Sequence, residues 1–132
     1  MSRRAAVLRA GLGLLAGTQV VLGLWILLLP EVFWDWRWVS LLPPYNEHLL
    51  RDLGSLNLSL AVVLCAAVAT MERRLVFTAL AAYLAATVPH LVFHAAHLEP
   101  LSPASGAGFM TLLGTAVLLP SALLWLASDG TV

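Results

Sequence analysis

The residues best suited to chemistry here are four histidines, and three of them, His90, His94 and His97, fall close together. Imidazole changes charge near neutral pH and is the commonest protein ligand for metals. Tyr83, Thr87, His90, His94 and His97 are spaced four, three, four and three residues apart. On a helix that spacing places all five on one face. Histidines at i and i+4, as at His90 and His94, can chelate one metal ion from a single helix. His97 would be a third ligand, and copper, zinc or haem iron the cofactors. A second polar series, His48, Asp52, Ser55 and Ser59, repeats at four, three and four. Glu47 and Arg51 lie four apart on an adjoining face, with Asn57 deeper. His48 or Asp52 could complete a metal site, or the carboxylate could orient an imidazole from behind. Without a metal, a histidine–carboxylate pair can move protons, as an isomerase requires.

The elements that must position these residues follow from composition. The chain has 132 residues, of which 61% are hydrophobic and 11% charged. Soluble domains run near 45–50% apolar and about 25% charged. So short a chain cannot bury this much apolar surface in a core of its own, so lipid must cover the excess. A hydrocarbon core about 30 Å thick needs roughly 20 apolar residues of helix. Four stretches meet that length, at about 5–29, 48–70, 75–97 and 109–127. The expectation is an all-α, single-domain, four-transmembrane-helix bundle of two antiparallel hairpins over residues 1–132. Arg3 and Arg4 precede the first stretch in the manner of a signal peptide. Its apolar run is too long for one and no small-x-small cleavage site follows, so it reads as a retained span. Pro30 closes that span. Asn46 is a good N-cap for the second helix, and Glu47 in its first turn suits the helix dipole.

Orientation follows from arginine, the only strongly basic residue type present. Arg3, Arg4, Arg9, Arg73 and Arg74 fall on one side of an even-numbered bundle. Against Glu72 and Asp129 they leave that side a net charge of +3. Arg37 and Arg51 face five acidic residues on the other side, a net charge of −3. The positive-inside rule then puts both termini in the cytoplasm and the histidines on the extracytoplasmic side of a multi-pass cell-membrane protein. No basic patch suggests nucleic acid.

Other features have plainer readings. Cys65, the single cysteine, excludes an intrachain disulfide and reads as a small buried hydrophobe. Trp34, Trp36 and Trp38, between Pro30 and Asn46, read as an interfacial anchor or as a lid over whatever binds beneath. Gly13 and Gly17 form a small-xxx-small pair that permits close helix contact. Gln19 is available for a bond across helices. Pro89, beside His90, can free a backbone carbonyl. Residues 98–108 read as a plain loop. The fourth helix, marked only by Thr111, Thr115, Pro120 and Ser121, reads as packing.

The stretch Asn46-Glu47, then Arg51-Asp52-x-Gly54-x-Leu56-x-Leu58, resembles the second-helix pattern of DoxX-like small membrane proteins. That resemblance implies a four-helix bundle, and for some members an accessory role in quinone-linked respiratory or sulfur-oxidising complexes. A more distant comparison is with sterol-isomerase-like four-helix proteins, which gather acidic and histidine side chains in a membrane pocket. Three functional readings are open at this point. In the first, a quinone or lipid binds in an outer-leaflet pocket lined by His48, Arg51, Asp52, Tyr83, Thr87, His90 and His94. The protein then serves as a subunit beside a membrane partner or a second copy of itself. In the second, His90, His94 and His97 hold a metal or haem, or the site is an acid–base enzyme. In the third, the polar cluster only orders the bundle.

Overall fold

The computed structural model describes residues 2–41, 44–99 and 101–128. Four of its helices are long and apolar enough to cross a membrane. They are α1 (Arg3–Leu28), α3 (Glu47–Thr70), α4 (Arg73–Ala95) and α5 (Pro103–Ser128), and a short α2 (Pro30–Trp34) follows α1. At 1.5 Å per residue the long helices span about 35–39 Å, more than the hydrocarbon thickness. The all-α, four-span architecture expected from composition is the one observed.

The boundaries have local causes. Ser2 caps α1, its hydroxyl accepting from the Ala5 N–H at 3.1 Å. Pro30 ends α1 and opens α2, where its missing N–H costs nothing. Asn46 caps α3 as its sequence position predicts, its side-chain oxygen accepting from Leu49 N–H at 3.0 Å. Met71 closes α3 in the left-handed conformation, φ 52°, a turn that glycine usually makes. The fourth span departs from expectation. It starts at Pro103 rather than near Phe109, so much of the expected loop is helix. Proline is pre-organised for the first helical position, and the Ser102 hydroxyl accepts from the Ser105 N–H at 3.3 Å. Pro100 lies outside the described residues.

The spans pack in a ring, α1 against α3 and α5, and α4 against α3 and α5. The most extensive contacts are α1 with α3 and α4 with α5, the two expected hairpins. One end of the bundle carries Arg3, Arg4, Arg9, Arg73 and Arg74, and we call it the arginine end. The opposite end carries the histidines. The main core lies toward the arginine end, where Leu8, Leu12, Leu64, Ala67, Val76, Leu80 and Leu123 are buried together. At the histidine end a smaller cluster of Ile26, Phe33 and Leu50 joins α1, α2 and α3. On α4 the buried residues are Val76, Ala79, Leu80 and Tyr83, and none lies nearer the histidine end. The bundle is therefore tight at one end and open along α4 at the other.

Lipid is as apolar as leucine, so close packing rather than water exclusion must hold such helices together. Gly23 and Gly54 provide it. A Cβ on Gly54 would lie 2.8 Å from the Leu27 nitrogen and 3.0 Å from the Gly23 carbonyl oxygen. The backbones of α1 and α3 touch there. The Gly13/Gly17 pair does not serve this purpose, since a Cβ at either position meets nothing within 4 Å. The small-xxx-small spacing identifies a groove on one helix, but contact also requires a partner helix on that side.

Candidate functional site

The interior face of α4 is the stripe read from the sequence. Val76 and Tyr83 are buried on it, and His90 and His97 follow at successive seven-residue steps. Leu80, Thr87 and His94 form the second row. The face is apolar where it meets the core and polar beyond Tyr83. Tyr83 is 3% exposed and Thr87 half-buried, whereas His90 is exposed although it shares their side of the helix. At the buried end Gln19 of α1, 5% exposed, interacts with the Tyr83 hydroxyl. Its Oε1 has no hydrogen-bond partner. The Thr87 hydroxyl donates to the Tyr83 carbonyl at 3.0 Å, which satisfies its proton within the helix.

The His94 ring lies edge-on to His90, centroids 4.6 Å apart, and edge-on to Phe109 of α5 at 4.9 Å. Phe109 in turn stacks on Trp38 at 5.5 Å. The Trp38 indole N–H donates to the Ser105 hydroxyl at 3.0 Å. From Trp38 the ring contacts continue through Trp36 to Trp25 on α1. The connector after α2 is thus folded back over the histidine end, tying α1 to α5. The three tryptophans of α2 and this connector do not share one role. Trp36 and Trp38 belong to this chain of rings, and Trp34 packs on Tyr45. His94 Nδ1 is buried with no hydrogen-bond partner.

The remaining candidates are placed elsewhere. His97 stacks on Phe93 at 4.3 Å, and its Nδ1 is 2.7 Å from the Phe93 carbonyl oxygen, closing the end of α4. Among the described residues no three His, Cys, Asp or Glu side chains are arranged to hold a metal ion. His48 and Asp52 pair with each other at 3.4 Å, with side chains 88% and 60% exposed. Ser55 and Ser59 donate to carbonyls of their own helix. Among the described residues no hydrogen bond or ion pair joins this series to the α4 stripe, and the glycine contact sets the Gly54 side of α3 against α1. Arg51 bonds to Glu47 at 2.7 Å and to the Leu27 carbonyl, beside an open cleft of about 240 Å³ that includes Pro30 and Glu31.

The site the structure assembles is therefore Gln19, Tyr83, Thr87, His90 and His94, with Phe109 and Trp38 beside them. Phe109 and Ser105 were hidden by reading residues 98–108 as a loop and the fourth helix as packing. The available signal was the Ser102-Pro103 helix start, together with an indole N–H that needs a partner when covered. No protein-family model, curated protein or solved structure matches this chain.

Proposed function

We propose that this small multi-pass membrane protein binds a lipophilic ligand with a polar head group, a quinone or a lipid, at His90 and His94. The observation that carries this reading is the His94 Nδ1, buried without a partner between aromatic surfaces. A buried polar nitrogen left unpaired costs about 1–3 kcal/mol, which a hydrogen-bonding head group would recover. Phe109 and Trp38 would supply flat apolar surface to the same ligand, a common division of labour in small-molecule sites. The arginine end lies in the cytoplasm on this reading, because arginine retains loops there. The site then opens in the outer leaflet. Membership among DoxX-like proteins, and service as an accessory subunit of a membrane complex, belong to the same proposal.

The test is purification in mild detergent followed by mass spectrometry of the lipid extract. Equilibrium binding of a decyl-substituted benzoquinone accompanies it. The wild-type chain should retain a ligand or bind the quinone, and His90→Ala/His94→Ala should weaken binding at least tenfold while remaining monodisperse. Equal binding by the double variant, or no binding by either protein, overturns the reading.

A further inference from the structure

We infer that the interior face of α4 lines a one-sided aqueous vestibule, open at the histidine end and closed halfway across the bundle at Gln19 and Tyr83. The inference shares residues with the ligand site above, but it concerns which solvent reaches them. Three observations converge on it. His90 is exposed although it lies on the same side of α4 as buried Tyr83, so that side of the helix is covered at Tyr83 and uncovered at His90. Two buried polar atoms along this face, Gln19 Oε1 and His94 Nδ1, have no protein partner. Water is the usual partner of buried polar atoms that find none in the chain. Below Tyr83 the same face is sealed by Leu80, Val76, Leu12 and Leu64, each fully buried.

The distances suit a file of solvent. From His90 to Tyr83 is seven residues, about 10 Å along the helix axis. Thr87 lies between them with acceptor lone pairs still available. Polar side chains therefore recur at roughly one-turn intervals from the surface to the middle of the membrane. A polar solute entering from the histidine end would meet a hydroxyl, an imidazole or a carboxamide at every turn. It would stop at the leucine floor. On this reading the protein admits water and protons from one side without conducting them through.

The experiment is cysteine accessibility in membranes, and it needs no ligand, so its outcome is independent of the binding test. Cys65, which is exposed on α3 rather than buried as its residue type suggests, is replaced in Cys65→Ser as the background. Single cysteines replace Thr87 and His90 in the vestibule, Leu80 on its floor and Val88 on the lipid side at the same depth. Ser40→Cys reports the histidine end, and each variant is first checked for monodispersity. A charged, membrane-impermeant thiosulfonate reacts with thiolate, which forms in water and not in lipid. Thr87→Cys and His90→Cys should label at least tenfold faster than Val88→Cys and Leu80→Cys, and only from the side that labels Ser40→Cys. Labelling of both no faster than Val88→Cys means the face is dry and overturns the proposal. Rapid labelling of Leu80→Cys, or labelling from both sides, overturns the closed floor.

Discussion

The Arg51 guanidinium of α3 donates to the Leu27 carbonyl of α1 at 2.6 Å. Leu27 lies in the last turn of α1, where carbonyls lack partners within the helix. The opposite end of the pair has the mirror arrangement. There Arg9 of α1 donates to the carbonyls of Val68 and Ala69, near the end of α3, at 3.2 and 3.4 Å. Each helix thus closes the other's C-terminus with a cation, which also suits the helix dipole. Both contacts are exposed, so each contributes on the order of 1 kcal/mol. Arg51→Gln and Arg9→Gln should each lower thermal stability in detergent by about that amount. The double variant should be close to additive, because the two clamps share no partner. Unchanged melting in both single variants would show that the clamps are incidental.

The backbone contact between α1 and α3 predicts opposite results at different glycines. Gly54→Ala should destabilise by about 1–3 kcal/mol, because its new methyl meets backbone atoms that cannot move aside. Gly13→Ala has open space and should be neutral or stabilising by up to about 1 kcal/mol through helix propensity. Reversible unfolding in mixed micelles distinguishes them. Equal effects at the two positions would contradict the close approach.

The tie between Trp38 and Ser105 predicts a change in the cover rather than in the spans. Ser105→Ala removes the acceptor of the indole N–H, and Trp38→Ala also removes the stack on Phe109. Helical circular dichroism should be retained in both. Near-ultraviolet dichroism should weaken in Trp38→Ala, with an apparent loss of about 2–3 kcal/mol in stability from the missing aromatic packing. Ser105→Ala should lose about 1 kcal/mol. A wild-type near-ultraviolet spectrum in Trp38→Ala would mean that the connector is not seated on α5.

Alkaline pH acts at Tyr45, outside the spans. Its phenol is held above the ordinary value of 10, first by reduced solvation, then by the carboxylates of Glu47 and Glu31. A raised folded-state value means the folded chain keeps this proton longer than the unfolded chain. Its contribution is therefore full below pH 10 and is lost as pH rises through the folded value. Absorbance near 295 nm should show Tyr45 ionising later than a free tyrosine, with Glu47→Gln moving it back part of the way. Tyr45→Phe assigns the signal.

Much of this protein is determined by sequence alone. Composition and the lengths of four apolar runs dictate a membrane bundle, because lipid is the only solvent for so much exposed leucine. Helix spacing alone puts Tyr83, Thr87, His90 and His94 on one face. Asn46 and Pro30 mark helix ends. What the sequence leaves open is which faces meet. His48 and Asp52 share the helical spacing of the α4 stripe, yet they pair with each other in exposed positions. Gly54, not Gly13 or Gly17, makes the close contact, because only there does a second backbone arrive. His94 meets Phe109 of α5, and a connector that folds back across the bundle lays Trp38 on that same ring. Spacing is a property of one helix and can be read along the chain. Juxtaposition depends on how two helices rotate and approach, and packing among many weak contacts decides that only once the bundle has formed.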